Sequence, residues 1–339
     1  MSISVFADLR WTPETGIGVV QRSLLERAPK DVEIIDLRLR CRIGSPWSPF
    51  LISKHLAANR KRKGGCVFWS PGYMPPFWSA IPSVVTVHDL THLRYYSKAH
   101  AAYYNTVLRY AFKRCRTIIC VSEFTRAEFI QWSGMDETRV NTIKNGVAPV
   151  FFEGGKKAAI GSPYIFYPGN RRAYKNLDRV LEAFSISGLW KSGVQIVMTG
   201  DKSYELLAKA REFGVEKYVI FLGVVSSEDL VSYYRGALFV AFVSLYEGFG
   251  LPIVEAMACG VPVLTSNVSA MPEIAGGAAV VVNPESVEEI AAGMLSLTWN
   301  DSLRMELIIR GRNRSRLFDW DVSAKLVWNL IKMSAEVDE

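Results

Sequence analysis

The sequence predicts an α/β protein built from two Rossmann-like, doubly wound domains, and three observations predict it. Twelve short apolar runs rich in β-branched residues alternate with amphipathic stretches along the chain. Strands that are apolar throughout belong to a parallel sheet covered on both faces, because a half-solvated sheet would alternate apolar with polar residues. The alternation is interrupted between Asn145-Gly146-Val147 and Gly161-Ser162-Pro163, where Gly154-Gly155-Lys156-Lys157 intervenes. A chain of 339 residues is also long for one core and comfortable for two of about 150 residues each.

In the first domain, residues 1–150, strands are expected at 3–7, 32–37, 66–69, 84–87, 117–121 and 140–143. An amphipathic helix is expected at 19–27, with Gly16-Ile17-Gly18 just ahead of it. The second domain, residues 160–320, has strand-like runs at 164–167, 194–199, 218–222, 238–243, 261–265 and 278–282. Helical stretches lie between them at 177–184, 204–213, 228–235, 253–259 and 287–297. A last helix, near 321–333 within a tail of 321–339, follows after the second sheet is complete. Ligands of such sheets bind beyond the carboxyl ends of the strands, which is where chemistry-bearing residues matter.

Composition narrows the function. Hydrophobic residues at 49% and charged residues at 22% describe a globular protein. The amino-terminal stretch lacks a basic start followed by an apolar run, so export is not expected, and no window approaches the ~20 apolar residues of a membrane span. Five cysteines, Cys41, Cys66, Cys115, Cys120 and Cys259, form no Cys-x-x-Cys pair. That points to a reducing, cytoplasmic compartment without a disulfide framework or a zinc site. His88 and His92 have the spacing of a helical metal pair, yet they follow the strand-like Ser83-Val84-Val85-Thr86-Val87, so no metal site is expected. A nicotinamide enzyme is disfavoured by the lack of a full Gly-x-Gly-x-x-Gly, and Gly16-Ile17-Gly18 alone is a weak dinucleotide signal. Residues 1–150 carry 21 Lys and Arg against 11 Asp and Glu, a net of +10, while the remainder carries −3. Nothing in that basic half resembles a recognition helix or a base-stacking sheet, so nucleic acid is not an expected partner.

Two segments carry chemistry. In Ser244-Leu245-Tyr246-Glu247-Gly248-Phe249-Gly250-Leu251-Pro252-Ile253-Val254-Glu255-Ala256-Met257-Ala258-Cys259-Gly260, two carboxylates separated by seven residues flank a glycine-bearing turn that opens a helix. Pro252 suits the first helical position and Gly260 the left-handed residue that ends the helix. Glu255 is expected in the first turn. The amides of Gly248, Phe249, Gly250 and Leu251 are expected at the helix mouth, where the helix dipole favours a phosphate or a polarised hydroxyl. In Tyr167-Pro168-Gly169-Asn170-Arg171-Arg172-Ala173-Tyr174-Lys175-Asn176-Leu177 a glycine turns the chain after a strand. It gathers cations where a diphosphate would lie.

The first segment, with its run-on Gly260-Val261-Pro262-Val263-Leu264-Thr265-Ser266-Asn267 and Met271-Pro272-Glu273, resembles the Glu-x7-Glu signature of family 4 retaining glycosyltransferases. The second resembles that family's Gly-x5-Lys-Asn-Leu signature. The resemblance is strong over residues 160–300 and weaker over 1–150, where Val87-His88-Asp89-Leu90 and Val121-Ser122-Glu123-Phe124-Thr125 also resemble family elements. It implies the GT-B architecture: an acceptor domain first, a donor domain second, the two facing across a cleft, and a final helix crossing back to the first.

By that resemblance Lys175 and a preceding arginine bind the donor diphosphate. Many relatives place the arginine directly after the glycine, where this chain has Asn170, so Arg171 is the choice and Arg172 the reserve. Glu247 would hold the sugar's hydroxyls and Glu255 the ribose hydroxyls, with Gly169, Asn170, Gly248, Phe249, Gly250 and Leu251 around the nucleotide-sugar. Gly16 and Gly18 would let backbone approach the diphosphate, and His88, oriented by Asp89, would contact the sugar near its reacting carbon. No cofactor and no metal are implied. The likeness is greatest to bacterial mannosyltransferases of O-antigen and exopolysaccharide assembly, which implies GDP-mannose as donor and a glycan or polyprenyl-diphosphate-linked acceptor. Other readings are a different donor (GDP-rhamnose, UDP-glucose or UDP-galactose), a nucleotide-sugar epimerase of the same architecture, or an inactive donor-binding assembly protein. Arg38, Arg40, Arg42, Lys54 and Arg60-Lys61-Arg62-Lys63, interleaved with Trp47, Phe50, Leu51 and Ile52, suggest docking on an anionic membrane from the cytoplasmic side. The plainer alternative is a solvated basic face with Trp47 and Phe50 in the core.

Overall fold

The computed structural model describes residues 3–13, 15–58 and 65–336. It contains two six-stranded sheets, each parallel throughout. Strands β1 (Ile3–Ala7), β2 (Val32–Asp36), β3 (Cys66–Ser70), β4 (Ser83–Val87), β5 (Thr117–Cys120) and β6 (Val140–Thr142) form the first sheet in the order β2-β1-β3-β4-β5-β6. Strands β7 (Tyr164–Tyr167), β8 (Gln195–Met198), β9 (Val219–Phe221), β10 (Phe239–Phe242), β11 (Val263–Ser266) and β12 (Val280–Val282) form the second, ordered β12-β11-β10-β7-β8-β9. All twelve expected runs are strands, most trimmed by a residue or two at the ends.

The compact units are Met1–Gly146 with Asp319–Glu339, and Val147–Phe318. In the first, β4 and β5 are buried along their whole length, as a doubly covered sheet requires. The helix Gly16–Leu25 begins earlier than its periodicity predicts, capped by Thr15, whose side chain accepts from the Gly18 N–H. Gly16 and Gly18 therefore lie inside its first turn, not ahead of it. A Cβ on Gly18 would stand 1.8 Å from the Thr12 carbonyl oxygen; the glycine permits that close approach.

The helix Trp320–Ala335 belongs to this first unit. Trp320, Ala324, Val327, Trp328, Ile331 and Ala335 recur at helical spacing and pack with Val5, Ala7, Val67, Trp69, Val84 and Ile119 of the sheet. The Trp328 ring lies 5.1 Å from that of Trp69, and its Nε1–H donates to the Leu24 carbonyl at 3.0 Å, so this deeply buried indole has its polar atom satisfied.

In the second unit, counting its strands from one, the order is that of the dinucleotide-binding doubly wound sheet. The chain runs outward from β7 through β8 to β9, then returns to place β10 on the other side of β7. The switch point between β7 and β10 opens a crevice at the carboxyl ends of those two strands. Its core joins Ile165, Leu181, Phe184, Ile196, Phe239 and Met294. Among the described residues no helix is long and apolar enough to cross a membrane, and all five cysteines are free thiols.

Candidate active site

Both chemistry-bearing segments of the second unit leave the sheet at the switch point. After β7 the chain turns at Gly169, passes a short 3-10 turn, Ala173–Lys175, and enters the helix Leu177–Ser187 through Asn176, whose backbone is left-handed at φ 62°. A non-glycine residue stays there only if its surroundings hold it. Asn176 is held: buried, it donates through Nδ2 to the carbonyls of Val243 and Pro284 at 3.1 and 2.7 Å, and its Oδ1 accepts from Arg179 at 3.0 Å. Leu245 N–H donates to the Tyr174 carbonyl at 2.7 Å, joining this loop to the one after β10.

That clasp sets Lys175 against Glu247. The Lys175 ammonium lies 2.6 Å from Glu247 Oε1, with side chains 10% and 14% exposed. Nζ also stands over the Phe242 ring at 4.8 Å, a favourable placement for a cation. Ser244 Oγ donates to the same carboxylate oxygen at 2.7 Å. The Glu247 peptide is fixed as well. Its N–H donates to Ser269 Oγ at 3.0 Å and its carbonyl accepts from Ala270 N–H at 3.2 Å, while Ser269 is itself left-handed at φ 55°. Three loops, after β7, β10 and β11, thus pre-set one ion pair. Oε2 of Glu247 takes no partner among the described residues, and the ammonium has protons to spare, so both ends of the pair retain capacity for a ligand.

The helix Leu251–Ala258 starts behind Glu247, with Gly250 at its N-cap at φ 106°. A Cβ there would meet Ile253 Cδ1 at 3.0 Å, and the backbone is one L side chains rarely adopt. Two local expectations are corrected. Leu251 takes the first helical position and Pro252 the second. Glu255, the fifth helical residue, is in the second turn, at 3.6 residues per turn. The helix ends at the left-handed Gly260, φ 69°, which returns its N–H to Met257. Gly248, Phe249 and Gly250 are buried, and Leu251 is partly so. The Phe249 ring turns inward, edge-on to Phe318 at 5.7 Å.

Glu255 does not join the Lys175–Glu247 pair. Its Oε2 accepts from the hydroxyl of the fully buried Tyr234 at 2.6 Å. Burial pushes the carboxyl up to about 7, opposed by that hydrogen bond, so a good fraction is protonated at neutral pH.

Arg171, chosen from sequence for the diphosphate, is turned elsewhere. Its Nη2 donates to the Thr199 carbonyl at 3.0 Å and its guanidinium lies 4.7 Å from the Phe221 ring centre, toward β8 and β9. Loss of water lowers its pKa, with Asp201 opposing. Arg172 and Asn170 are exposed on the same loop, the Arg172 N–H held by Asn170 Oδ1 at 3.3 Å. Gly169, φ 121°, is clasped by the Thr199 hydroxyl, which bonds both its N–H at 2.9 Å and its carbonyl at 3.3 Å.

In the first unit, His88 stands at the carboxyl end of β4. Its Nε2 lies 2.7 Å from the Pro71 carbonyl; a carbonyl only accepts, so Nε2 carries the proton and Nδ1 the lone pair. Burial lowers its pKa, opposed by the Pro71 bond and by Asp89, leaving the ring neutral at pH 7. Asp89 does not hydrogen-bond it. That carboxylate accepts from Thr91 N–H and hydroxyl instead, so Pro71 is what orients the imidazole. Among the described residues no group of three or more His, Cys, Asp or Glu is placed to hold a metal. The chain's Asp-x-Asp tripeptide, Asp319-Trp320-Asp321, is engaged otherwise: Asp319 caps its helix and Asp321 pairs with Arg27.

Sequence reasoning missed Ser244, Ser269, Thr199, Tyr234 and Pro71. Ser244, three residues before Glu247, was within reach of inspection; the others come from distant elements and leave no local signal.

Two doubly wound parallel sheets of this kind are the fold of GT-B glycosyltransferases. HepE of Anabaena, whose structure was determined in complex with UDP and glucose, superposes with a TM-score of 0.72 at 16% identity, covering 98% of this chain and 100% of that one. WaaG, a glycosyltransferase involved in lipopolysaccharide biosynthesis, gives 0.72 at 17%, covering 97% and 99%. In sequence, residues 36–150 match the model of Glycosyltransferase Family 4 and residues 154–314 that of Glycosyl transferases group 1. The O-antigen chain mannosyltransferase B of Escherichia coli is 30% identical over 267 residues, 74% of this chain and 70% of that protein. The chain belongs to the family 4 glycosyltransferases of GT-B fold, and it is a glycosyltransferase.

Proposed function

We propose that this enzyme transfers mannose from GDP-mannose, with retention of anomeric configuration and without a metal ion, to a glycan or polyprenyl-diphosphate-linked acceptor of a cell-surface polysaccharide. The observation that carries the reading is the Lys175–Glu247 pair at the switch point of the second sheet. A sugar donor brings a diphosphate next to sugar hydroxyls, and the pair offers a cation for the first and a carboxylate for the second. The choice of mannose is supported by the likeness to the E. coli O-antigen enzyme. The acceptor places the enzyme at the cytoplasmic face of a membrane.

The bond from the anomeric carbon to the β-phosphate oxygen breaks, and negative charge gathers on that oxygen, where the Lys175 ammonium and the amides opening the Leu251–Ala258 helix stabilise it. The acceptor hydroxyl bonds the anomeric carbon on the same face and yields its proton to the departing phosphate. Arg172, exposed at the loop rim, is better disposed to reach the diphosphate than Arg171. Glu247 holds the sugar, Glu255 the ribose hydroxyls, and His88 accepts a sugar hydroxyl through Nδ1.

A panel of nucleotide sugars tests the reading. GDP-mannose and GDP should raise the unfolding temperature more than any UDP-sugar does, a ligand at a hundred times its dissociation constant adding ~2.7 kcal/mol of stability over the unliganded protein. Transfer should persist in excess EDTA, and the product should keep the donor's configuration by NMR. Stabilisation by a UDP-sugar alone removes the donor, metal-reversible inhibition removes the metal-free chemistry, and an inverted product removes retention.

A further inference from the structure

The first unit carries a groove of about 640 Å³ that takes no part in the site above, its lining almost wholly apolar and including Trp47, Phe50, Leu51, Lys54, Ala57 and Trp78. Trp47 is 67% exposed and Trp78 48%, which overturns the alternative that places Trp47 in the core. Phe50 centres a run of rings: Trp47 at 6.1 Å, Phe77 at 4.6 Å and Trp78 at 6.1 Å, with Tyr110 continuing from Phe77 at 5.3 Å. Indoles left in water at this density mark an interaction surface.

The rings are held firmly. Phe50 lies on the helix Ser48–Ala58, whose Ile52 and Leu56 are fully buried. Ser53 Oγ of that helix accepts from Trp78 N–H at 3.0 Å, and the Pro49 carbonyl accepts from Phe77 N–H at 3.1 Å. The approach to Trp47 is pinned by Arg10, fork-bonded to Asp8 at 2.7 Å and reaching the Cys41 carbonyl at 3.0 Å and Ser48 Oγ at 3.3 Å. The aromatic face is therefore pre-formed.

Its charge selects the occupant. Among the described residues Lys54 is the charged member of the lining and none of the others is acidic. Arg114 lies over the Tyr110 ring at 3.5 Å, and Arg38, Arg40 and Arg42 are exposed on the segment leading to Trp47. A second copy of this chain would oppose cation to cation. Anionic headgroups complement it, and indoles flanked by Lys and Arg suit the boundary between headgroups and acyl chains. We propose that this groove seats the enzyme on an anionic bilayer, with Trp47 and Trp78 entering the interface. The proposal rests on the reading above that the acceptor is membrane-borne. Arg60-Lys61-Arg62-Lys63 lies outside the described residues and is not needed for it.

The test uses the full chain, vesicles of phosphatidylcholine with or without phosphatidylglycerol, and a Trp47→Ser/Trp78→Ser variant, whose exposed positions leave the core intact. Wild type should pellet with anionic vesicles at low salt and be released toward 1 M salt, where screening falls to ~3 Å. Acyl-brominated lipid should quench its tryptophan fluorescence. The variant should bind at least ~10-fold more weakly, with quenching lost and nucleotide affinity unchanged. Equal vesicle binding by the variant overturns the groove while the membrane reading stands. No binding by wild type overturns both. Concentration-dependent dimers that the variant abolishes, with vesicle binding intact, assign the groove to a second copy and overturn the bilayer.

Discussion

Replacing Lys175 with methionine keeps the side chain's bulk and removes its charge. Its partner Glu247 stands 2.6 Å away, and the two side chains are 10% and 14% exposed. Breaking such a buried pair costs roughly 3–5 kcal/mol, because the surviving charge is stranded. Glu247 keeps the Ser244 hydrogen bond and some contact with water, so the lower end, about 3 kcal/mol, is expected for Lys175→Met. Glu247→Gln leaves an amide oxygen able to accept from Lys175 and should cost about 1–2 kcal/mol. The double variant strands no charge, so its loss should fall about 2 kcal/mol short of the sum, a coupling typical of contacting residues. Activity should behave differently. Lys175→Met and Glu247→Gln should each lower transfer at least ~100-fold, the ~2.7–4 kcal/mol attached to a group aimed at developing charge, and the double variant should recover stability without recovering turnover. Urea unfolding and initial transfer rates on the same four proteins decide the matter. Near wild-type turnover in Lys175→Met refutes the phosphate role, and additive stability losses refute the pair.

Glu255 links stability to pH. Its folded carboxyl titrates at about 7 against 4.5 for the free side chain, so the stability it contributes is fully present below about pH 4.5 and is lost as pH rises through 7, by about 3 kcal/mol. Urea midpoints of wild type should fall across that window relative to Glu255→Gln, while the variant weakens nucleotide binding more than turnover; parallel pH curves would contradict this. Trp328→Ala should lower stability by about 3–5 kcal/mol, because the indole is 1% exposed, packs on Trp69 and satisfies the Leu24 carbonyl. The same change at the exposed Trp299 should fall within ~0.5 kcal/mol, and a comparable loss there would refute the packing argument.

Much of the fold was legible because parallel, doubly covered sheets write themselves locally. Runs such as Tyr164–Tyr167 and Phe239–Phe242 are buried on both faces and so need no polar alternation. Edges were less legible: the run expected at 194–199 is a strand only over Gln195–Met198, and Thr199, just past its end, clasps Gly169 through its hydroxyl. The helix expected at 253–259 starts at Leu251 because the left-handed Gly250 can cap it. Local reading puts Arg171 ahead of Arg172 for the diphosphate; that the Thr199 carbonyl and the Phe221 ring engage Arg171 follows only from the packing of the neighbouring strands.

By itself the sequence determined the class of fold, the switch from one sheet to the next, and the residue types at each strand end, since those follow from periodicity and from turn chemistry within a few residues. Tertiary structure alone decided which of them meet. Lys175 and Glu247, 72 residues apart, are neighbours because β10 pairs with β7 instead of with β9. Glu255, eight residues from Glu247 and partly exposed, meets the Tyr234 hydroxyl through one carboxylate oxygen because the helix bearing Tyr234 packs beside its own. Trp47 and Trp78 are brought to one exposed face by Arg10 and Ser53. Contacts of this kind depend on strand order and on long-range hydrogen bonds, which local pattern does not encode, because closing the intervening chain is repaid only once the whole sheet has formed.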